Sequence, residues 1–407
     1  MAGPLGHIRV LELARVLAGP WAAQTLADLG ATVIKVEKPG VGDDTRAWGP
    51  PYATAPDGRQ SGESAYFLSA NRGKRSVTID FVHPEGRRLV QALAARSDVV
   101  LENFKTGGLA KYGLDDPSLR PLNPGLVYCS ITGFGQTGPY RDRPGYDFMI
   151  QGIGGLMSIT GEPDARPGGG PMKVGVAVAD IFTGLYATIA ILGALAHRER
   201  TGEGQHIDLA LLDSQVAVLA NQAMNYLVSG DTPRRLGNAH PNIVPYQTFA
   251  ASDGHIIVAV GNERQYARLC EAAGRPDLIS DERFATNSAR VDHRDQLAAI
   301  LGEVFRTRTL RQWLDALERV GVPCGPINTI ADVFADPQVR ARGLRLDLPH
   351  PALGSVPSVA SPIRYSATPI SYRSAPPMLG ADTDDVLREL LDIAPAEIER
   401  MRKAGIV

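Results

Sequence analysis

Cysteine is scarce in this chain. Its three cysteines, Cys129, Cys270 and Cys324, lie far apart and never in C-x-x-C spacing. Neither a disulfide framework nor a zinc or other metal site is therefore expected. No sign of charge dominates: 42 Lys and Arg face 44 Asp and Glu, a net charge of −2. That balance gives no global reason to expect nucleic acid or an anionic membrane as partner. Long hydrophobic runs are missing as well. The most apolar stretch, 184–196, is shorter than the ~20 residues that a bilayer requires. Arg9, Glu12 and Arg15 break the apolar pattern near the N-terminus, which disrupts a signal-peptide core. A cytoplasmic location is the expectation. Two phosphate-binding signatures are absent too. There is no G-x-x-x-x-G-K-[ST], and "ELARVLAGP" stands where a G-x-G-x-x-G would follow the first strand. A nicotinamide-dependent enzyme is disfavoured accordingly.

What is present reads as a large α/β protein. With 407 residues, 44% of them hydrophobic, the chain is long enough for two domains. Strand patterns at 8–13, 31–37, 75–81, 98–103 and 125–132 alternate with helix patterns at 19–30 and 84–97. This alternation predicts a Rossmann-like, doubly wound parallel sheet. Its ligands would sit at the carboxyl ends of the strands. Residues 146–229 read as helical around a loop with three consecutive glycines, 168–170. A hairpin at 246–261, turning at Asp253-Gly254, opens a smaller α+β domain. The expected organisation is a first part of the large domain over 1–225 and a small domain over 226–330. A linker and C-terminal segment over 331–407 then return to the large domain.

One carboxylate stands out. Asp180 lies between small apolar residues and a long apolar helix, with no Lys, Arg or His within six residues on either side. It reads either as a helix N-cap or as a nucleophile held ionised at a helix start. The two readings are compatible. Basic residues recur around the strand ends: Lys35, Lys38, Arg46, Arg72, Lys74, Arg75, Lys105 and Lys111. Each alone reads as a solvated charge, whereas the recurrence points to a polyphosphate ligand.

Five long motifs then occur in order: "RVLAGPWAAQTLADLGATVIKVEKPGVGDDTRAWGP", "YFLSANRGKRSVTIDF", "DVVLENFKTGGLAKYG", "SITGFGQTGPYRDRPGYD" and "ADIFTGLYATIAILGALAHRERTGEGQHIDLALLDS". With "VPCGPINTIADVFADPQV" and "PPMLGADTDDVL" they cover nearly the whole chain. The chain resembles the family III coenzyme A transferases, the group that contains formyl-CoA transferase and carnitine CoA-transferase. The resemblance implies that Asp180 attacks an acyl-CoA thioester, forming a mixed anhydride and then an aspartyl-CoA thioester. It implies CoA contacts at Leu17, Ala18, Lys38, Ile79, Asp80, Phe81, Val82, Asn103, Phe104, Lys105, Lys111, Tyr146 and Asp147. It also implies that Trp48 stands beside the reaction centre. Coenzyme A would enter as substrate, with no tightly bound cofactor. The partner would be a second copy of the chain in an interlocked, ring-shaped homodimer, with the active site between large and small domains.

The implied reaction moves CoA from a donor such as succinyl-CoA to a carboxylic acid, expected to be a dicarboxylate such as glutarate. Arg46 and His240 are candidates for holding the acid. A racemase acting on 2-methylacyl-CoA is the rival, but that branch has a His where Tyr146 stands, and a phenol is a poor base at neutral pH. A formyl-CoA:oxalate transferase is disfavoured because no long Gly-rich lid is found near 259–265.

Overall fold

The computed structural model describes residues 3–407. It divides into two units. One holds the chain up to Gly155, Val174–Met224 and Pro337–Val407; the other holds Leu156–Lys173 and Asn225–Asp336.

The first unit is built on a six-stranded, all-parallel sheet. Its elements are β1 (Arg9–Glu12), α1 (Ala18–Asp28), β2 (Thr32–Glu37), β3 (Lys74–Thr78), α2 (Pro84–Ala95), β4 (Val99–Glu102), β5 (Val127–Thr132), α3 (Asp147–Ile153), α4 (Val178–Thr201) and β6 (His206–Ala210). The strand order is β3-β2-β1-β4-β5-β6, with every neighbouring pair parallel. Alternate side chains enter opposite cores, as the pleat requires. Val10, Val33, Val99, Leu101 and Val127 pack with α1 and α4 on one face. Leu11, Ile34, Val36, Val77 and Val100 pack with α2 and the C-terminal helices Thr383–Leu391 and Pro395–Lys403 on the other. The strand order reverses between β1 and β4, and a ligand crevice opens there at the carboxyl ends of the parallel strands.

Several expectations change. β6 lies inside the stretch read as helical; it extends the sheet edge by pairing Tyr128–Thr132 with His206–Ala210. The linker and C-terminal segment, 331–407, contains a hairpin, Arg345–His350 with Gly354–Val359. The apolar run at 184–196 is the middle of α4, a 24-residue helix that is long and apolar enough by composition to cross a membrane. Here it packs on α1 through small residues. A Cβ on Gly184 would stand 2.7 Å from the Ala18 carbonyl oxygen, so only glycine allows that approach. The opposite face of α4, Phe182, Leu185, Tyr186 and Ile189, is exposed.

The second unit has a three-stranded antiparallel sheet, Cys324–Pro326, His255–Ala259 and Tyr246–Ala250 in that order. Phe249 stacks on Phe305 at 4.7 Å. The Trp313 indole donates to the Phe305 carbonyl at 2.7 Å. Residues 156–173, read from sequence as part of the large domain, belong to this unit. Arg235 holds them: it donates to the Ser158 and Glu162 carbonyls and pairs with Asp164.

Candidate active site

The loop after β1 is held in an unusual conformation. Val16 has φ of 69°, a value that β-branched residues avoid. Asp43 pins it, both carboxylate oxygens accepting the Val16 N–H at 3.2 Å. Asp43 is itself fixed by Lys35, whose Nζ lies 2.8 Å from it and 3.2 Å from Glu12, fully buried. Burial alone would push the Lys35 ammonium down, but Glu12, Asp43 and Glu37 outweigh it and hold its pKa above the ordinary value. Burial likewise works against ionised Asp43, yet Lys35 brings it down to about 2. Strain of this kind persists only where the surroundings over-determine it. Its result is that Leu17 and Ala18 open α1 at the mouth of the crevice.

That crevice is a cleft of about 560 Å³ lined by Arg15, Val16, Leu17, Ala18, Phe81, Val82, Asn103, Phe104, Lys105, Lys111, Tyr112, Arg141, Arg143, Tyr146 and Asp180, among others. One wall carries aromatic rings: Phe81 meets Phe104 at 5.8 Å and Tyr112 at 5.4 Å, both edge to face. Five cations line the cleft with Asp44 and Asp180 as the carboxylates. A polyphosphate and a flat heterocycle suit such walls.

Asp180 is not the cap of α4. Ala177 occupies that position and makes no side-chain cap bond. The capping carboxylate comes from Asp147 on α3, which accepts the Ala179 N–H at 2.8 Å. Among the described residues no side chain donates to the Asp180 carboxylate or pairs with it. Burial first, and the negative charge of Asp147 second, push Asp180 up to about 7. An unpaired carboxylate in the cleft wall is free to attack an electrophile.

The sequence-named residues divide. Leu17, Ala18, Phe81, Val82, Asn103, Phe104, Lys105, Lys111, Tyr146 and Asp180 share the cleft. Asn103 also clamps the strained loop, donating to the Arg15 carbonyl at 2.7 Å. Ile79 is buried in the sheet core. Asp80 accepts the Val82 N–H at 3.0 Å in a local turn and is outside the cleft wall. Lys38, exposed, and Asp147, half-buried, are both outside the cleft wall. Trp48 is outside it too, edge-on to Tyr66 at 5.2 Å. Arg46 is no free partner for a substrate. Its Nε and Nη2 donate to Glu37 at 2.8 Å, and its Nη1 to Glu63 at 3.0 and 3.2 Å. The remaining Nη2 donor meets the Pro377 carbonyl at 3.1 Å. Lys35, Arg72 and Lys74 leave the phosphate reading for the same reason: they are buried against Asp43, Asp28 and Glu12. His240, in the second unit, accepts the Asn242 N–H at 3.0 Å through Nδ1. Partial burial and then Arg294 lower its pKa, so at neutral pH it offers a neutral ring.

Other functional candidates were not visible in sequence. Arg15, Tyr112, Arg141 and Arg143 reach the cleft. The Tyr66 phenol is pushed up to about 12 by burial and then by the charges of Asp180, Asp147 and Asp43. Glu102, at the end of β4, accepts the Phe104 N–H at 2.7 Å and is pushed up to about 7 by burial. Basic residues in the order of this loop, "GPYRDRPGYD", were the available signal for Arg141 and Arg143.

Comparison with known proteins agrees with this geometry. The model of CoA-transferase family III matches residues 5–383. Succinate–glutarate CoA-transferase of Agrobacterium fabrum is 58% identical over 95% of this chain and 96% of its own. The human succinyl-CoA:glutarate CoA-transferase is 43% identical over 99% of this chain and 90% of its own. The crystal structure of a CAIB/BAIF family protein from Brucella suis superposes with a TM-score of 0.84 at 56% identity, covering 96% of this chain and all of that one. The chain belongs to CoA-transferase family III.

Proposed function

We propose that this protein transfers coenzyme A from succinyl-CoA to a dicarboxylic acid of the glutarate type, with Asp180 as nucleophile. The observation that carries the reading is the unpaired Asp180 carboxylate in the wall of a cation-lined cleft. The names of the relatives from Agrobacterium fabrum and human support the two acids.

Each step balances without a proton carrier. An Asp180 oxygen attacks the thioester carbonyl, the C–S bond breaks, and CoA leaves as thiolate, giving a mixed anhydride. The thiolate attacks the Asp180 carbonyl of the anhydride, expelling succinate and leaving an aspartyl-CoA thioester. The acceptor carboxylate attacks that thioester and releases the thiolate. The thiolate then attacks the acceptor carbonyl, freeing Asp180 and the new acyl-CoA. Carboxylate replaces carboxylate throughout, so no general base is demanded. CoA is a substrate, bound through the cleft cations and aromatic wall.

The reading includes a homodimer, interlocked as the family resemblance implies. Its support is the exposed apolar face of α4, with Ile189 63% exposed. A continuous apolar stripe on one helix is what an association surface presents. The cytoplasm is the proposed compartment.

Donor thioesters assayed against a panel of mono- and dicarboxylic acids test the substrate class. Glutarate-type acids should be preferred, and a preference for oxalate with formyl-CoA, or for carnitine, would overturn it. Asp180→Ala should abolish transfer while leaving CoA binding intact, and hydroxylamine trapping with mass spectrometry should find the adduct on Asp180. Sustained turnover by the alanine variant would remove Asp180 from the mechanism.

A further inference from the structure

Asp147 is placed to act on Asp180 from behind. Its Oδ1 accepts the Ala179 N–H at 2.8 Å and the Asp180 N–H at 3.4 Å. Its Oδ2 accepts Gln151 Nε2 at 2.8 Å. Gln151 is fully buried, and its own Oε1 accepts the Val174 N–H at 2.9 Å. α3 therefore grips both the first turn of α4 and the segment that leads into it. α4 supplies no side-chain cap of its own. A helix start without a capping acceptor frays, and Asp180 belongs to that turn. Among the described residues, the titratable groups that act on Asp180 are Asp147 from α3 and Tyr66 from the short helix Ala65–Ser69, while Tyr146, Arg141 and Arg143 share the cleft wall with it.

We propose that Asp147 is a positioning residue: it fixes the first turn of α4 so that the Asp180 carboxylate points into the cleft, and it places a second negative charge behind that carboxylate. This rests on Asp180 being the nucleophile. It differs from the CoA contact that the family resemblance implies for Asp147, because the carboxylate is spent on backbone N–H groups and on Gln151.

The test compares Asp147→Asn, Asp147→Ala and Asp180→Ala in the full chain. Asparagine keeps an acceptor for the helix N–H groups and removes the charge. The acid limb of its kcat–pH profile should move to lower pH than in the wild type, since a like charge no longer opposes ionisation. Alanine removes cap and charge together. Its kcat should fall ~10–100-fold through misplacement of the nucleophile, with KM for succinyl-CoA unchanged, and asparagine should restore most of that loss. A rise in KM with kcat intact would make Asp147 a CoA contact and overturn the proposal. So would a wild-type pH profile for Asp147→Asn. If the alanine variant does not fold, the asparagine profile alone decides. Turnover by Asp180→Ala would refute the nucleophile itself, whereas an inactive Asp180→Ala beside wild-type-like Asp147 variants refutes only the positioning role.

Discussion

At the scale of the residue, the Asp180 carboxylate is held against its own ionisation. Its pKa in the folded protein, about 7, stands above its ordinary value of 3.8. The folded state therefore prefers the protonated form. The associated stability is fully present below the ordinary value and is lost as pH rises through about 7. The difference corresponds to on the order of 4 kcal/mol. Asp180→Asn should accordingly raise thermal stability more at pH 8 than at pH 5, read as the midpoint of unfolding at each pH. An equal gain at both would show that the carboxylate is not held against its ionisation. Such gains at the loss of activity are typical of functional groups kept in unfavourable surroundings. The isolation of this residue was legible in the sequence, because no cation lies near it in the chain. Its capping partner was not, since Asp147 is 33 residues away and nothing local links the two.

At the scale of the element, the loops after β1 and β2 stand on buried charge. Asp43 joins the Val16 amide, Lys35 and Thr45 in one place. Removing one partner of a buried ion pair strands the other, at a cost of roughly 3–5 kcal/mol. Asp43→Ala should show that loss in urea denaturation and should also weaken CoA binding, because Val16 is no longer held and Leu17 and Ala18 shift. Adding Lys35→Met should recover part of the stability, since no unpaired ammonium then remains buried. A loss below about 1 kcal/mol for Asp43→Ala would refute the support role. Arg46 belongs to the same group of elements. Stacked 3.7 Å over the Phe67 ring and paired with two glutamates, it holds the turn Asp44–Ala47 in the way Lys35 holds Asp43. The sequence showed a cluster of basic residues near strand ends. Which of them face solvent depends on acids far away in the chain: Lys74 meets Glu12 at a separation of 62 residues and Arg72 meets Asp28 at 44.

At the scale of the whole molecule, α4 presents an apolar face to solvent. The helix buries Ala179, Thr183, Gly184, Ala187 and Ile191 on one side and exposes Phe182, Leu185, Tyr186 and Ile189 on the other. If that stripe joins two chains, Ile189→Asp should convert a sedimenting dimer to monomer or aggregate at micromolar concentration, because a charge would be buried without a partner. A wild-type chain that sediments as a stable, active monomer would overturn the dimer.

The sequence by itself determined the alternation of strands and helices, the parallel sheet that follows from it, the family, and the candidate nucleophile. These are written in local periodicity and in motifs that neighbouring residues carry together. It also indicated most of the cleft, since Leu17, Ala18, Phe81, Val82, Asn103, Phe104, Lys105, Lys111 and Tyr146 all reach it. Tertiary structure alone decided which charges are spent on one another and which remain for a ligand. A buried cation and a solvated one look alike in a chain, and only folding brings Glu37 and Glu63 to Arg46 or leaves Lys105 and Lys111 in the cleft. It decided the same way that the first turn of α4 is capped from α3, because a hydrogen bond depends on position in space and not on distance along the sequence.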